Sequence, residues 1–317
     1  MYSIMTRPYI CPSQALINAE HGCHFFCDHP DCSQNTPEAL KSCGQYDLLT
    51  SRIKLREFCR ENKIAIPAGT AAEQFARISA WAVKTNRFPM AIKTGINLCD
   101  GEASFVLKAF RELPEFYERI TADYPGAVIL EELLNPKARI ELTCLNAKIR
   151  MATQIGLEKS LLLRHVWRAF PVVLPAVIMQ QIKIILSRFS RLLEVPDVPI
   201  RFSFAIKADG PVLISVNAGF NRPEYFLHWR AEAGLPPLAE CEYQSPVGRF
   251  GKLLFFSGFS GNDADADADK LRQLCSTTFV KYAAAGDQIT VFLCSDKAAT
   301  LLEDSKKVDA FFKHQTG

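Results

Sequence analysis

The sequence predicts a mixed α/β chain of the α+β type, and three observations predict it. Segments of helical period alternate with short apolar runs of strand length, such as FPMAIK at 88–93 and AVILEE at 127–132. Two longer stretches, 140–154 and 198–217, each read as a hairpin folded about a turn signal. The 317 residues are 48% apolar and 22% charged, a balance that supplies a large core rather than a disordered chain.

The elements follow in order. Residues 1–45 are irregular and rich in Cys, His, Pro and Asn. From Leu48 a helical stripe runs through Leu49, Ile53, Leu55, Phe58 and Cys59, with Ser51 placed to cap its start and Pro67 beyond its end. A second helix is expected over 71–84, with Phe75, Ile78, Trp81 and Ala82 inward. The strand at 88–93 leads into a loop with Gly95 and Gly101, and a further helix is expected after it. The strand at 127–132 precedes a hairpin turning at Asn146–Ala147, and a long helix is expected over 176–194.

The 198–217 hairpin is the most informative segment. Ala208-Asp209-Gly210 is a tight-turn sequence, and centring the turn on Asp209 sets Ser203 opposite Ser215 and Arg201 opposite Asn217. Alternation assigns Phe202, Phe204, Ile206, Val212, Ile214 and Val216 to a core face. Arg201, Ser203, Ser215 and Asn217 share the other face, which is either solvated or lines a site. After Leu235 the pattern changes: an acidic run DADADAD, a helix expected over 270–285, a strand at 289–293 and a charged terminal helix.

Composition removes several classes of function. A net charge of +3 without a dense Lys/Arg block gives no nucleic-acid or anionic-membrane surface. The apolar stretch 170–186 is interrupted by Pro171, Pro175, Gln180, Gln181 and Lys183, so it reads as a buried helix and not a membrane span. Residues 1–13 lack the sections of a secretory signal. The eleven scattered cysteines fit free thiols in a reducing cytoplasm better than a disulfide framework.

The order helix, helix, strand with Lys, glycine loop, strand ending in Glu, hairpin, long helix, hairpin ending in Asn resembles the ATP-grasp superfamily over roughly 46–235. That resemblance implies two α+β subdomains around a nucleotide cleft, here without a full-length lead-in domain, and an extension at 236–317. It implies Arg52 and Lys93 on the ATP phosphates, with Arg56 and Pro67 at the family's spacings. Glu131, Glu132 and Leu133 would hold adenine, and Glu141 the ribose hydroxyls. In the family an acidic residue and a Glu-x-Asn pair on the last hairpin hold Mg²⁺. Here Ser203 and Ser215 stand at the two carboxylate positions and Asn217 alone remains. Arg201 would meet an acyl-phosphate oxygen, and Asn221 and Arg222 follow where substrate contacts are common.

The implied activity is ATP-dependent joining of a carboxylate to an amine or other nucleophile through an acyl phosphate. The serines also imply an alternative, a protein that binds nucleotide, or a partner, without turnover. A second copy or a partner chain would supply the missing wall. Separately, Cys23, His24, Cys27, His29, Cys32 and Cys43 have the ligand types for zinc, but not the paired spacing of a zinc module. The acidic run lacks the glycine and terminal glutamate of a calcium loop, and reads as a solvated cap on the next helix.

Overall fold

A computed structural model describes residues 38–97, 103–135, 138–157, 165–218, 250–257, 264–275, 279–285 and 288–315. Helix α1, Arg52–Glu61, starts where Ser51 accepts from the Lys54 N–H at 3.3 Å, the expected cap. It is followed by β1 (Gly69–Ala72), α2 (Phe75–Thr85), β2 (Met90–Thr94), β3 (Ser104–Leu107), α3 (Leu113–Asp123) and β4 (Val128–Glu132). The four strands form one antiparallel sheet in the order β1-β4-β2-β3.

Strand alternation gives this small sheet two different faces. Met90, Ile92, Leu107, Val128 and Leu130 pack against α2 and α3 through Ile78, Ala82, Phe116 and Ile120. The other face carries Lys93 and Glu131.

The second sheet is larger. Strands β5 (Ala138–Leu145), β6 (Lys148–Leu157) and β7 (His165–Phe170) lead into α4 (Ala176–Leu186). Then come β8 (Ile200–Lys207), β9 (Gly210–Ala218), β10 (Phe250–Ser257), α5 (Ala264–Leu274), β11 (Phe279–Ala285), β12 (Gln288–Ser295) and α6 (Ala298–Gln315). They make an eight-stranded antiparallel sheet in the order β11-β12-β10-β7-β6-β5-β8-β9. Its main core joins Ile140, Leu142, Phe202 and Phe204 to Ile182 and Phe189. Phe189 meets Phe202 edge-on at 5.2 Å and Phe58 of α1 at 5.0 Å. Burying an aromatic cluster of this kind makes each ring worth about 3–5 kcal/mol against Ala.

Helix α1 connects the two sheets. Leu55 and Cys59 belong to the large sheet's core, while Arg52 and Arg56 reach the small sheet. Two further ties cross the same boundary: Leu213 N–H donates to Ala65 at 2.8 Å, and Asn97 Nδ2 donates to Leu49 and Val216 carbonyls at 2.7 Å each. They cover part of β9, an edge strand whose unpaired backbone would otherwise be open to other chains.

Both expected hairpins form, and one departs from simple alternation. Asn146 and Ala147 turn with φ of 51° and 59°, the left-handed pair that suits strand twist. In the second hairpin Lys207 pairs with Gly210, so the turn is centred ahead of Asp209, and Gly210 supplies φ +131°. A β-bulge between Ser203 and Phe204 then restores Ser203↔Ser215 and Arg201↔Asn217. The same bulge moves Val212 and Ile214 off the expected core face. They cluster with Leu134 and Ala205, while Leu213 takes the core position.

Other expectations shift as well. The 71–84 helix is a strand at Gly69–Ala72 and a helix from Phe75, because Ala71 and Ala72 are drawn into pairing with β4. The glycine loop is followed by strand β3 before the helix. The 176–194 helix tightens into a 3-10 turn at Ser187–Phe189, where i→i+3 bonding lets Phe189 enter the core. The 270–285 helix ends at Leu274, and Phe279–Ala285 pairs with β12 instead. From Ala264 onward the acidic run is helical rather than a loop.

Candidate active site between the two sheets

On the small sheet the site begins with Glu131, only 4% exposed. Arg56 donates from Nη1 to its Oε2 at 2.7 Å and from Nη2 to the Pro67 carbonyl at 3.0 Å. Lys93 Nζ donates to Glu131 Oε1 from the neighbouring strand. A buried carboxylate held by two cations is strongly destabilised if either is lost.

Burial pushes the Lys93 ammonium below the ordinary lysine range; Glu131 works against that, and Arg52 adds to it. Arg52 itself donates to the Thr94 carbonyl at 3.1 Å. Arg139, on β5 of the large sheet, is also lowered by burial and is stabilised as a cation by Glu131. The two sheets therefore meet in one electrostatic field. Gly95, two residues after Lys93, is required for packing: a Cβ there would lie 2.6 Å from the Ala127 carbonyl oxygen.

On the large sheet, register puts Glu141, Ser203 and Ser215 in one row, with Arg201, Thr143 and Asn217 in the next. Glu141 is 4% exposed. Arg168 donates to its Oε1 at 2.5 Å from β7, and Arg201 to its Oε2 at 3.3 Å from β8. Ser203 Oγ donates to the same Oε2 at 3.5 Å. Arg201 is 2% exposed, so its charge is held inside the protein on this carboxylate. Beyond this polar half lies the small apolar cluster of Leu134, Ala205, Val212 and Ile214. One face thus offers an apolar surface beside buried guanidinium groups.

No protein-family model matches the sequence, and no curated protein matches it either. Solved structures do match in fold. An ADP complex of N5-carboxyaminoimidazole ribonucleotide synthetase superposes with TM-score 0.63 at 13% identity, covering 86% of this chain and 74% of that one. An L-amino acid ligase from Bacillus licheniformis gives 0.61 at 13% identity, over 85% and 71% of the two chains. Carboxyaminoimidazole ribonucleotide synthase from Aspergillus clavatus, complexed with ATP, gives 0.60 at 12% identity, over 82% and 72%. The chain has the ATP-grasp fold.

Within this ATP-grasp fold the expected residues separate into two groups. Arg52, Lys93 and Glu131 come together at the small sheet, joined by Arg56. Glu141, Arg201, Ser203, Ser215 and Asn217 come together on the large sheet. Glu132 lies apart: its Oε1 accepts from the Ala68 N–H at 3.2 Å and pins the segment leading into β1. Leu133 is half-buried between Glu132 and Leu134.

Sequence reading missed Arg139, Arg168, Leu134 and the site-facing position of Ile214. The alternation of Arg139, Glu141 and Thr143 along β5 was a signal for the first. Arg168 had none, because β7 was not recognised as a strand.

Magnesium, which the ATP-grasp fold implies, does not fit the donors here. Asn217 and two hydroxyls are neutral where a hard dication needs anionic oxygen. Glu141, the carboxylate in the row of the two serines, is engaged by two guanidinium groups. No group of three His, Cys, Asp or Glu residues suited to a metal occurs among the described residues. The candidate zinc ligands Cys23, His24, Cys27, His29 and Cys32 lie outside the described residues. Cys43 donates from Sγ to the Arg191 carbonyl at 3.2 Å.

Proposed function

We propose that this protein binds ATP between its two sheets and is an ATP-dependent ligase of the carboxylate–amine class. The observation that carries the reading is the convergence of Arg52, Lys93, Arg139, Arg168 and Arg201 beside an apolar cluster. A triphosphate needs such cations and a base needs such a surface. Neighbours in fold include an L-amino acid ligase and a synthase complexed with ATP, which supports the same reading.

In this reading a substrate carboxylate oxygen attacks the γ-phosphorus, the bond to the β-phosphate oxygen breaks, and ADP leaves. The amine then attacks the acyl carbon, phosphate departs, and the nitrogen gives up a proton. Lys93 and Arg52 neutralise the phosphates. Arg201 faces the charge that grows on the acyl phosphate, so catalysis is positioning and charge stabilisation. An incoming polyanion would also raise the pKa of Lys93, reversing the effect of burial.

Residues 46–235 carry the site in this account, and within the extension 236–317 strands β10, β11 and β12 continue the large sheet at the end away from β9. Small-molecule carboxylate and amine substrates are the expected partners, and a second copy or partner chain would complete the acceptor wall. Among the described residues no helix is long and apolar enough to cross a membrane. Free, buried Cys59, Cys144 and Cys275 suit a cytoplasmic setting.

A second reading has its own observation. Ser203 faces Ser215 where the fold's metal carboxylates belong, which favours nucleotide binding without turnover. Incubating the protein with ATP and a panel of carboxylates and amines, and measuring ADP and phosphate, separates the two. Amine-dependent ADP release supports the ligase; saturable ATP binding with no release across the panel supports the second reading.

A further inference from the structure

The mismatch between the site and a dication points to a different charge partner for the phosphates. Glu141 stands in the middle of the large sheet's site face, with Arg168 reaching it across β6 and Arg201 from β8. The carboxylate fixes two guanidinium planes on opposite oxygens, beside the row that holds Ser203 and Ser215. Guanidinium groups stay charged at any physiological pH and match phosphate oxygens in a planar, two-point geometry.

We propose that the polyphosphate subsite of this protein works without a divalent cation, with Arg168 and Arg201, held by Glu141, supplying the positive charge. The idea rests on the ATP-binding reading above and refines it: the ligand is the metal-free nucleotide triphosphate. Arg168 is its new residue, a phosphate-binding group on β7 that the sequence resemblance does not assign. The serines then make sense as neutral donors that add no negative charge to that of Glu141, where further carboxylates would oppose an uncomplexed phosphate.

The test is calorimetric titration of the full chain with ATP, in EDTA and in excess Mg²⁺. The expected result is an affinity in EDTA at least equal to that in Mg²⁺. Binding tighter by tenfold or more in Mg²⁺ would overturn the proposal while leaving ATP binding intact. If ATP fails in both buffers but inorganic tripolyphosphate binds in EDTA, the subsite stands and the nucleotide reading falls. If neither binds, both fall.

Arg168→Gln should lose at least tenfold in EDTA affinity, with Arg168→Lys recovering part of it. Unchanged affinity in Arg168→Gln would count against the proposal. Should Arg168→Gln fail to fold, the Ser203→Asp/Ser215→Glu double variant carries the test. It should need Mg²⁺ for ATP binding, and EDTA binding equal to that of the natural chain would contradict the role given to the serines.

Discussion

Glu131 and Glu141 are two buried carboxylates solved in nearly the same way, and their difference lies in the cations that hold them. Glu131 is held by Arg56 and Lys93, Glu141 by Arg168 and Arg201. A lysine can give up its proton when its counter-charge disappears; a guanidinium cannot. Burial already lowers the Lys93 pKa, so the small-sheet cluster has an escape that the large-sheet cluster lacks. The first cluster joins a helix to two strands, while the second ties three strands within one sheet. The small-sheet site can therefore adjust its charge to a ligand, and the large-sheet site is fixed in advance.

The largest expected effect breaks the fixed cluster. Glu141→Ala leaves two buried guanidinium groups without this partner and should cost about 3–5 kcal/mol in urea denaturation. Glu131→Ala should cost less, about 2–3 kcal/mol, because Lys93 can become neutral. The pH dependence sharpens the contrast. With a folded-state pKa below the unfolded lysine value, Lys93 binds fewer protons in the folded state, so stability rises with pH between the two values. Glu131→Ala should regain stability as pH rises toward the ordinary lysine range, and Glu141→Ala should not. Equal pH profiles for the two variants would remove the distinction.

The next effect concerns the bulge. Val216→Ala, in the main core, should lose about 1–3 kcal/mol with ATP affinity unchanged. Ile214→Ala, on the site face, should cost under about 1 kcal/mol yet weaken ATP binding several-fold. If the two variants exchange these behaviours, the bulge register is wrong.

Much of this comparison was readable in the sequence, and the rest was not for identifiable reasons. The hairpin pairing of Arg201 with Asn217 followed from a turn signal and alternation alone. It held because the turn offset and the bulge, each one residue, compensate. The same compensation hid the site-facing positions of Val212 and Ile214, since a bulge leaves no mark in an apolar run. Lys93 and Glu131 could be placed at strand ends, but their mutual pairing depends on register between β2 and β4. Helices expected at 71–84 and 270–285 gave way to strands where short Ala-containing segments lay beside a sheet edge, a tertiary effect that outweighs local propensity.

The smallest effect lies in the core behind the site. Burial pushes the thiols of Cys59 and Cys144 up to about 12 each. Both should resist alkylation at neutral pH in the folded protein and react once it is unfolded. Their neutral forms favour folding below the unfolded thiol value, and that contribution is lost as pH rises from about 9 toward 12. Rapid labelling of either at pH 7 would mean that α1 and β5 pack more loosely than described.

Equilibrium titration with ATP, comparing the natural chain with Lys93→Met, tests the central claim most directly. The cleft account predicts one ATP per chain, with an affinity roughly tenfold or more weaker once the charged hydrogen bond from Lys93 is gone. An unaltered ATP affinity in a folded Lys93→Met variant, or no binding by the natural chain, would contradict it.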